Sequence, residues 1–141
     1  MSESNKELVE RIFQGLNDRN EEIYTELYAP GYGWHFPSNN PKPMSREEER
    51  EFVKATWAGF PDLTYTVEET IATDDRVVVR FTASGTHTGD FQGMAPTMRK
   101  FESGGLIVMR VKDGKVIEAR EEFDLPGMMQ QLGMELKPTV S

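Results

Sequence analysis

The chain has 141 residues, with 16 Lys plus Arg against 24 Asp plus Glu, for a formal net charge of −8. That length suits one domain spanning residues 1–141, with one core or one enclosed pocket, and the acidic balance argues against nucleic acid, which requires a basic stripe. The chain has no cysteine, which excludes disulfides, thiolate nucleophiles and Cys-ligated metals, and its apolar runs are too short for a spanning helix.

Val9, Ile12, Phe13 and Leu16 recur at the helical period and predict a first helix, with Glu10, Arg11 and Gln14 on its polar face. Ile23, Leu27 and Tyr28 predict a short second helix behind Glu21 and Glu22. Pro30-Gly31-Tyr32-Gly33 reads as a breaker, Trp34-His35-Phe36-Pro37 as a short extended piece, and Ser38 to Pro43 as a loop. Ser45-Arg46-Glu47-Glu48 is a capping box. The helix it opens carries Phe52, Val53, Thr56, Trp57 and Phe60 on one face, and Pro61 stops it.

From Leu63 the period becomes two. Leu63, Tyr65 and Val67 alternate, Asp74-Asp75 turns, and Arg76 to His87 is rich in β-formers. Thr88 to Thr97 reads as a loop. Lys100 to Val111 is a strand whose Gly104-Gly105 suggests a bulge or a sharp bend. Lys112-Asp113-Gly114-Lys115 is a tight hairpin turn, Val116 to Phe123 the return strand, and Leu125 to Leu132 a short terminal helix ended by Gly133. The sum is an α+β domain: N-terminal helices packed in the concave face of a curved antiparallel sheet, with a short C-terminal helix. Met128, Met129 and Met134 read as the last part of the core.

The return strand carries the main chemical signal. Val116, Glu118, Arg120 and Glu122 share one face, and Ile117, Ala119, Glu121 and Phe123 share the other. Glu121 is thus a carboxylate on an apolar face. It is either the acid–base group of a pocket or one half of a structural ion pair. Arg80 lies among Val77, Val78, Val79 and Phe81. It either meets a carboxylate, Glu121 first with Asp124 and Glu102 behind, or points to water from its strand. Asp124 precedes Leu125-Pro126-Gly127 and is either a helix N-cap alone or a cap at a cavity mouth that also touches a ligand. His35 and His87 are the two histidines, each either a general acid or a packed side chain. Trp34, Trp57, Phe60 and Tyr65 either floor an aromatic cavity or belong to the core. The two histidines are too far apart in the chain to suggest a metal site, and there is no phosphate-binding glycine motif.

Further motifs occur in order: Phe60-Pro61-Asp62-Leu63, Val79-Arg80, Gly85-Thr86-His87-Thr88-Gly89, Phe91-x-Gly93-x-x-Pro96-Thr97, Arg110-Val111-x-Asp113-Gly114-Lys115-Val116-Ile117-Glu118, Asp124, and Gln130-Gln131-Leu132-Gly133. Together they resemble the SnoaL-like polyketide cyclases. The resemblance implies a nuclear transport factor 2-like cone with an apolar pocket, a homodimer through the sheet, and an aldol ring closure that uses no metal or organic cofactor. It implies that Glu121 is the acid–base carboxylate; beside it, Arg80 is expected to orient that group or steady an enolate oxygen, and His35 or Asp124 to relay the proton. The ligand expected is a small apolar molecule, with Trp34, Trp57, Phe60, Tyr65, Thr82, His87 and Phe123 as the candidate residues that hold it. No membrane partner is expected, and the location expected is cytoplasmic. The histidine that the aromatic-polyketide cyclases carry on the preceding strand is absent from Leu106-Ile107-Val108-Met109. The related limonene-epoxide hydrolases match at Arg80 and Glu121, but Thr82 stands where they have a second Asp. Two alternatives to cyclisation are therefore a non-catalytic binding module, and a hydrolase or isomerase using a Glu–Arg pair.

Overall fold

A computed structural model describes residues 2–135 and 138, so Met1 and the other residues of the 1–141 span lie outside the described residues. The elements in order are α1 (Ser2–Asn17), α2 (Ile23–Glu26), β1 (Tyr28–His35), α3 (Arg46–Gly59), β2 (Thr64–Ala72), β3 (Arg76–Thr86), β4 (Lys100–Lys112), β5 (Lys115–Phe123) and α4 (Leu125–Gln131). The strands form one curved sheet in the order β1-β5-β4-β3-β2. The architecture is α+β, with N-terminal helices against one face and a short helix at the end.

Why the helices sit where they do follows from their stripes. In α1, Leu8, Val9, Ile12, Phe13 and Leu16 are buried, at the spacing that puts one face on the sheet. In α3 the capping box is complete: the Glu48 amide donates to Ser45 Oγ at 3.1 Å, and the Ser45 amide donates to Glu48 Oε1 at 3.0 Å. This fixes where α3 starts, and hence which of its side chains face inward. At the β4–β5 hairpin, Asp113 and Gly114 take φ of 53° and 74°, the left-handed pair that matches strand twist.

Three details differ from the sequence expectations. First, the sheet is mixed rather than wholly antiparallel, because β1 runs parallel to β5, with Trp34 opposite Ala119. Second, Pro30 and Gly31 do not break the chain there. They lie within β1, where the register slips between Tyr28 and Gly33, and β1 is an edge strand on which a missing N–H is tolerated. Third, Gly104 and Gly105 make no bulge against β3, since pairing runs unshifted from Arg76↔Arg110 to Thr86↔Lys100. Gly105 instead makes room: a Cβ there would lie 2.7 Å from Phe81 Cζ and 2.8 Å from the Glu122 carbonyl. The slip falls between Arg110 and Val111 of β4, and it turns Val116 inward, where it is fully buried.

No helix among the described residues is long and apolar enough to cross a membrane.

Candidate functional site in the cavity between helices and sheet

Strand alternation decides which side chains reach the interior. One row across the sheet reads Thr70, Val79, Ile107, Glu121, and the next reads Glu69, Arg80, Leu106, Glu122. Val79 and Ile107 are buried and Leu106 is exposed, so the first row faces the helices and the second faces outward. Glu121 therefore projects into the space under the helices. A cavity of about 110 Å³ lies there. Its walls are largely aromatic, with Phe13, Tyr28, Trp34, Tyr65, Phe81 and Phe123 among them, and two carboxylates face it, Glu121 and Glu49.

Glu121 accepts a hydrogen bond from Trp34 Nε1 at 3.1 Å. Burial among apolar groups pushes its carboxyl up to about 8, and the charge of Glu49 adds to that, while the indole N–H pulls the other way. The residue as a whole is only half-buried because the cavity lies in front of it.

Glu49 comes from α3. It sits three and four residues before Phe52 and Val53, on the stripe that continues to Thr56, and all four line the cavity. The sequence reading passed over it because it lies in the charged stretch Arg46 to Arg50. Extending the apolar stripe back by one turn was the signal that would have found it. Glu49 is buried, its Oε2 accepting from the Tyr24 hydroxyl at 2.9 Å and its Oε1 from the Tyr32 hydroxyl at 2.5 Å. Burial raises its carboxyl to about 7 against the pull of those two phenols.

Of the other residues singled out, Trp34, Tyr65 and Phe123 line the cavity. Arg80 does not, and the proposed pairing with Glu121 is corrected. One position off the inward row, Arg80 lies on the outer face, where Nε meets Glu69 Oε1 at 3.2 Å. Thr82 shares that outer parity and donates to Glu68 Oε1 at 3.0 Å. His35 also points away from the cavity, since Trp34 beside it points in. Its Nδ1 donates to the Asn40 carbonyl at 2.6 Å, and its Nε2 lies 4.0 Å from Glu118. Asp124 is exposed and caps α4, accepting from the Gly127 amide at 2.9 Å.

Phe60, His87 and Trp57 lie outside the lining as well. Phe60 and His87 are fully buried and stacked at 5.1 Å, and Phe60 packs edge-on against Phe91 and Phe101, which do line the cavity. They form the layer behind the wall. Trp57 has turned past the α3 stripe and lies under the Arg19 guanidinium, 5.5 Å from its ring centroid. Among the described residues no Lys, Arg or His lines the cavity, and no three His, Asp or Glu side chains are grouped to hold a metal ion.

The arrangement provides one carboxylate facing open apolar space, a second held by phenols, and neutral hydroxyl and indole donors. Groups of these kinds can give up and take up protons.

The sequence profile of the SnoaL-like polyketide cyclase family matches residues 6–132. Aklanonic acid methyl ester cyclase DnrD of Streptomyces peucetius is 27% identical over 135 residues, covering 90% of this chain and 89% of that one. Nogalonic acid methyl ester cyclase of Streptomyces nogalater is 41% identical over 49 residues, a stretch covering 35% of this chain and only 37% of that relative. The crystal structure of wild-type IdmH from Streptomyces antibioticus superimposes with a TM-score of 0.82 at 33% identity, covering 92% of this chain and 98% of that one.

Proposed function

Since the chain belongs to the SnoaL-like polyketide cyclase family, we propose that it closes a ring in a neutral, apolar polyketide ester by intramolecular aldol addition, with Glu121 as the base. The observation that carries this reading is the Glu121 carboxyl facing an aromatic cavity beside a single indole donor. In its ionised form Glu121 takes a proton from carbon next to a carbonyl. The enolate carbon bonds to a second carbonyl carbon of the same molecule, and that oxygen takes up a proton to become a hydroxyl. Nothing is lost or gained, so the product is an isomer of the substrate.

Arg80 has no part in this step, because it lies on the outer face of the sheet. The developing oxyanion is served instead by phenols. Burial, and then the nearby carboxylates, hold the Tyr28 and Tyr65 hydroxyls well above their ordinary range, so both stay protonated and able to donate. Two carboxylates with no cation beside them among the described residues favour a neutral ester over the corresponding acid, which would bring a further charge into a low-dielectric space.

The test is incubation with aklanonic acid methyl ester, the compound in the name of one relative, followed by chromatography and mass spectrometry. The expected product has unchanged mass and a new retention time. Glu121→Gln keeps the shape and removes the base, and should lower turnover by ~100-fold or more. Wild-type turnover in that variant would remove Glu121 from the mechanism.

A second reading, a binding module without turnover, is favoured by the lack of any histidine facing the cavity. It predicts that the ester binds and is recovered unchanged. The family reading also carries a homodimer through the outer sheet face, where Ile71 and Leu106 are 57% and 50% exposed. Sedimentation at micromolar concentration should give twice the monomer mass, and a single-chain mass would remove the dimer.

A further inference from the structure

We propose that Glu49 is a positioning residue for Glu121: held by Tyr24 and Tyr32 on the helical wall of the same cavity, its charge, once formed, adds to burial in keeping the proton on Glu121. Its catalytic meaning rests on the reading of Glu121 as the base; its physical basis does not.

The clamp is built from three elements. Tyr24 comes from α2, Tyr32 from β1 and Glu49 from α3. Both oxygens of Glu49 are engaged by hydroxyl donors, at 2.9 and 2.5 Å. Two donated hydrogen bonds fit the carboxylate rather than the acid. Tyr28 locks the donors in place, stacked on Tyr24 with centroids 4.7 Å apart and edge-on to Tyr32 at the same 4.7 Å. Such a clamp is more than burial of a stray acid requires, since a neutral side chain would fill the same volume without desolvating a charge.

The groups facing the two carboxylates can be named element by element. α2 offers Tyr24, β1 offers Tyr28, Tyr32 and Trp34, and β2 offers Tyr65. α1, β3, β4 and α4 line the cavity with apolar side chains alone. Arg19 reaches Tyr65 but not the carboxylates, and Glu122 acts weakly on Glu121 from the outer face. Burial first, and then the charge of Glu49, keeps Tyr24, Tyr28 and Tyr32 protonated. Among the described residues the charge inside the cavity is therefore set by Glu49 and Glu121.

Two carboxylates in one low-dielectric space do not ionise independently. Glu49 has two hydroxyl donors and Glu121 has one indole N–H, so the first proton leaves Glu49. Its charge then delays the second. Burial first, and then that charge, keep Glu121 as an acid at rest and make it, once ionised, a stronger base toward carbon than an ordinary carboxylate.

The test needs no substrate. In protein labelled with ¹³C at glutamate carboxyls, the Glu121 signal is followed against pH. The wild type should show two coupled steps. In Glu49→Gln the Glu121 midpoint should fall by about one unit or more, while staying above that of an exposed glutamate. Glu49→Asp keeps the charge and should restore most of the wild-type value. The pH at which kcat/KM rises should move with the midpoint, an effect that a purely structural role would not produce. Should Glu49→Gln fail to fold, Tyr32→Phe removes one donor, and the first step should move to higher pH. A Glu121 midpoint unmoved in folded Glu49→Gln, or a first step unmoved in Tyr32→Phe, would overturn the assignment and leave the ring closure standing. Turnover that survives Glu121→Gln would instead overturn the reaction and leave the coupling standing.

Discussion

Trp34 donates its indole N–H to Glu121 at 3.1 Å from the neighbouring strand. Because β1 and β5 run parallel, with Trp34 opposite Ala119, the indole sits beside Ala119, two residues before the carboxylate it serves. The bond favours the ionised form of Glu121 and so opposes both burial and Glu49. Trp34→Phe keeps an aromatic ring against Phe36 and Phe52, which lie 5.2 and 5.3 Å away, and removes only the donor. Glu121 should then ionise at higher pH, so the rise of kcat/KM moves upward, the opposite of the shift expected for Glu49→Gln. Turnover near neutrality should fall by ~10-fold or more, the scale of one lost charge-assisted hydrogen bond of about 1.5–3 kcal/mol. A pH–rate profile checks both direction and size, and an unshifted rise would show that the indole does not bias Glu121.

The outward placement of Arg80 leads to a result that separates this protein from any scheme with a catalytic Glu–Arg pair. Its partner Glu69 lies directly opposite on β2, and both side chains are more than half exposed. Such a pair contributes ~0–1 kcal/mol to stability. Arg80→Ala should leave kcat and KM within about two-fold of wild type and the position of the pH rise unchanged, because the guanidinium contributes nothing to the cavity. A large loss of kcat, with the protein folded and its assembly state unaltered, would contradict the register described above.

These two residues also show what the sequence does and does not reveal. Glu121 was legible because Ala119 and Phe123 flank it at period two on a strand whose end is marked by an Asp-Gly turn. Arg80 was misplaced because Val77, Val78, Val79 and Phe81 surround it without alternating. A run apolar at both parities does not say which face is inside, and only pairing to β4 settles it, through Phe81↔Gly105 and Val79↔Ile107. The helices were legible from their stripes and caps. The parallel β1–β5 pair was not, because it joins segments over eighty residues apart. His35 and Thr82 are further cases of a correct residue type on the wrong face. Phe60, Trp57 and His87 are aromatic residues one layer or one helical step from the wall, a distinction that periodicity alone does not make.

The two buried carboxylates also govern how stability depends on pH. Burial, the first cause in both, holds the folded-state values at about 7 for Glu49 and about 8 for Glu121, against an ordinary value of 4.5. Between pH ~5 and ~8 the folded protein therefore binds protons that the unfolded chain has released, and unfolding becomes easier as pH rises through that window. Above ~8 both states are ionised and this contribution levels off. Glu121→Gln removes one of the two groups, so the loss of stability between pH 5 and pH 9 should be smaller than in wild type by a few kcal/mol at most, since one pKa unit corresponds to about 1.4 kcal/mol and water entering the cavity lowers the cost. Urea denaturation at the two pH values measures this difference directly. At pH 9 the variant should be the more stable protein, even though it has lost its base. Equal losses in variant and wild type would mean that the Glu121 carboxyl is hydrated in the folded state, and a hydrated carboxylate would be too weak a base for the ring closure proposed.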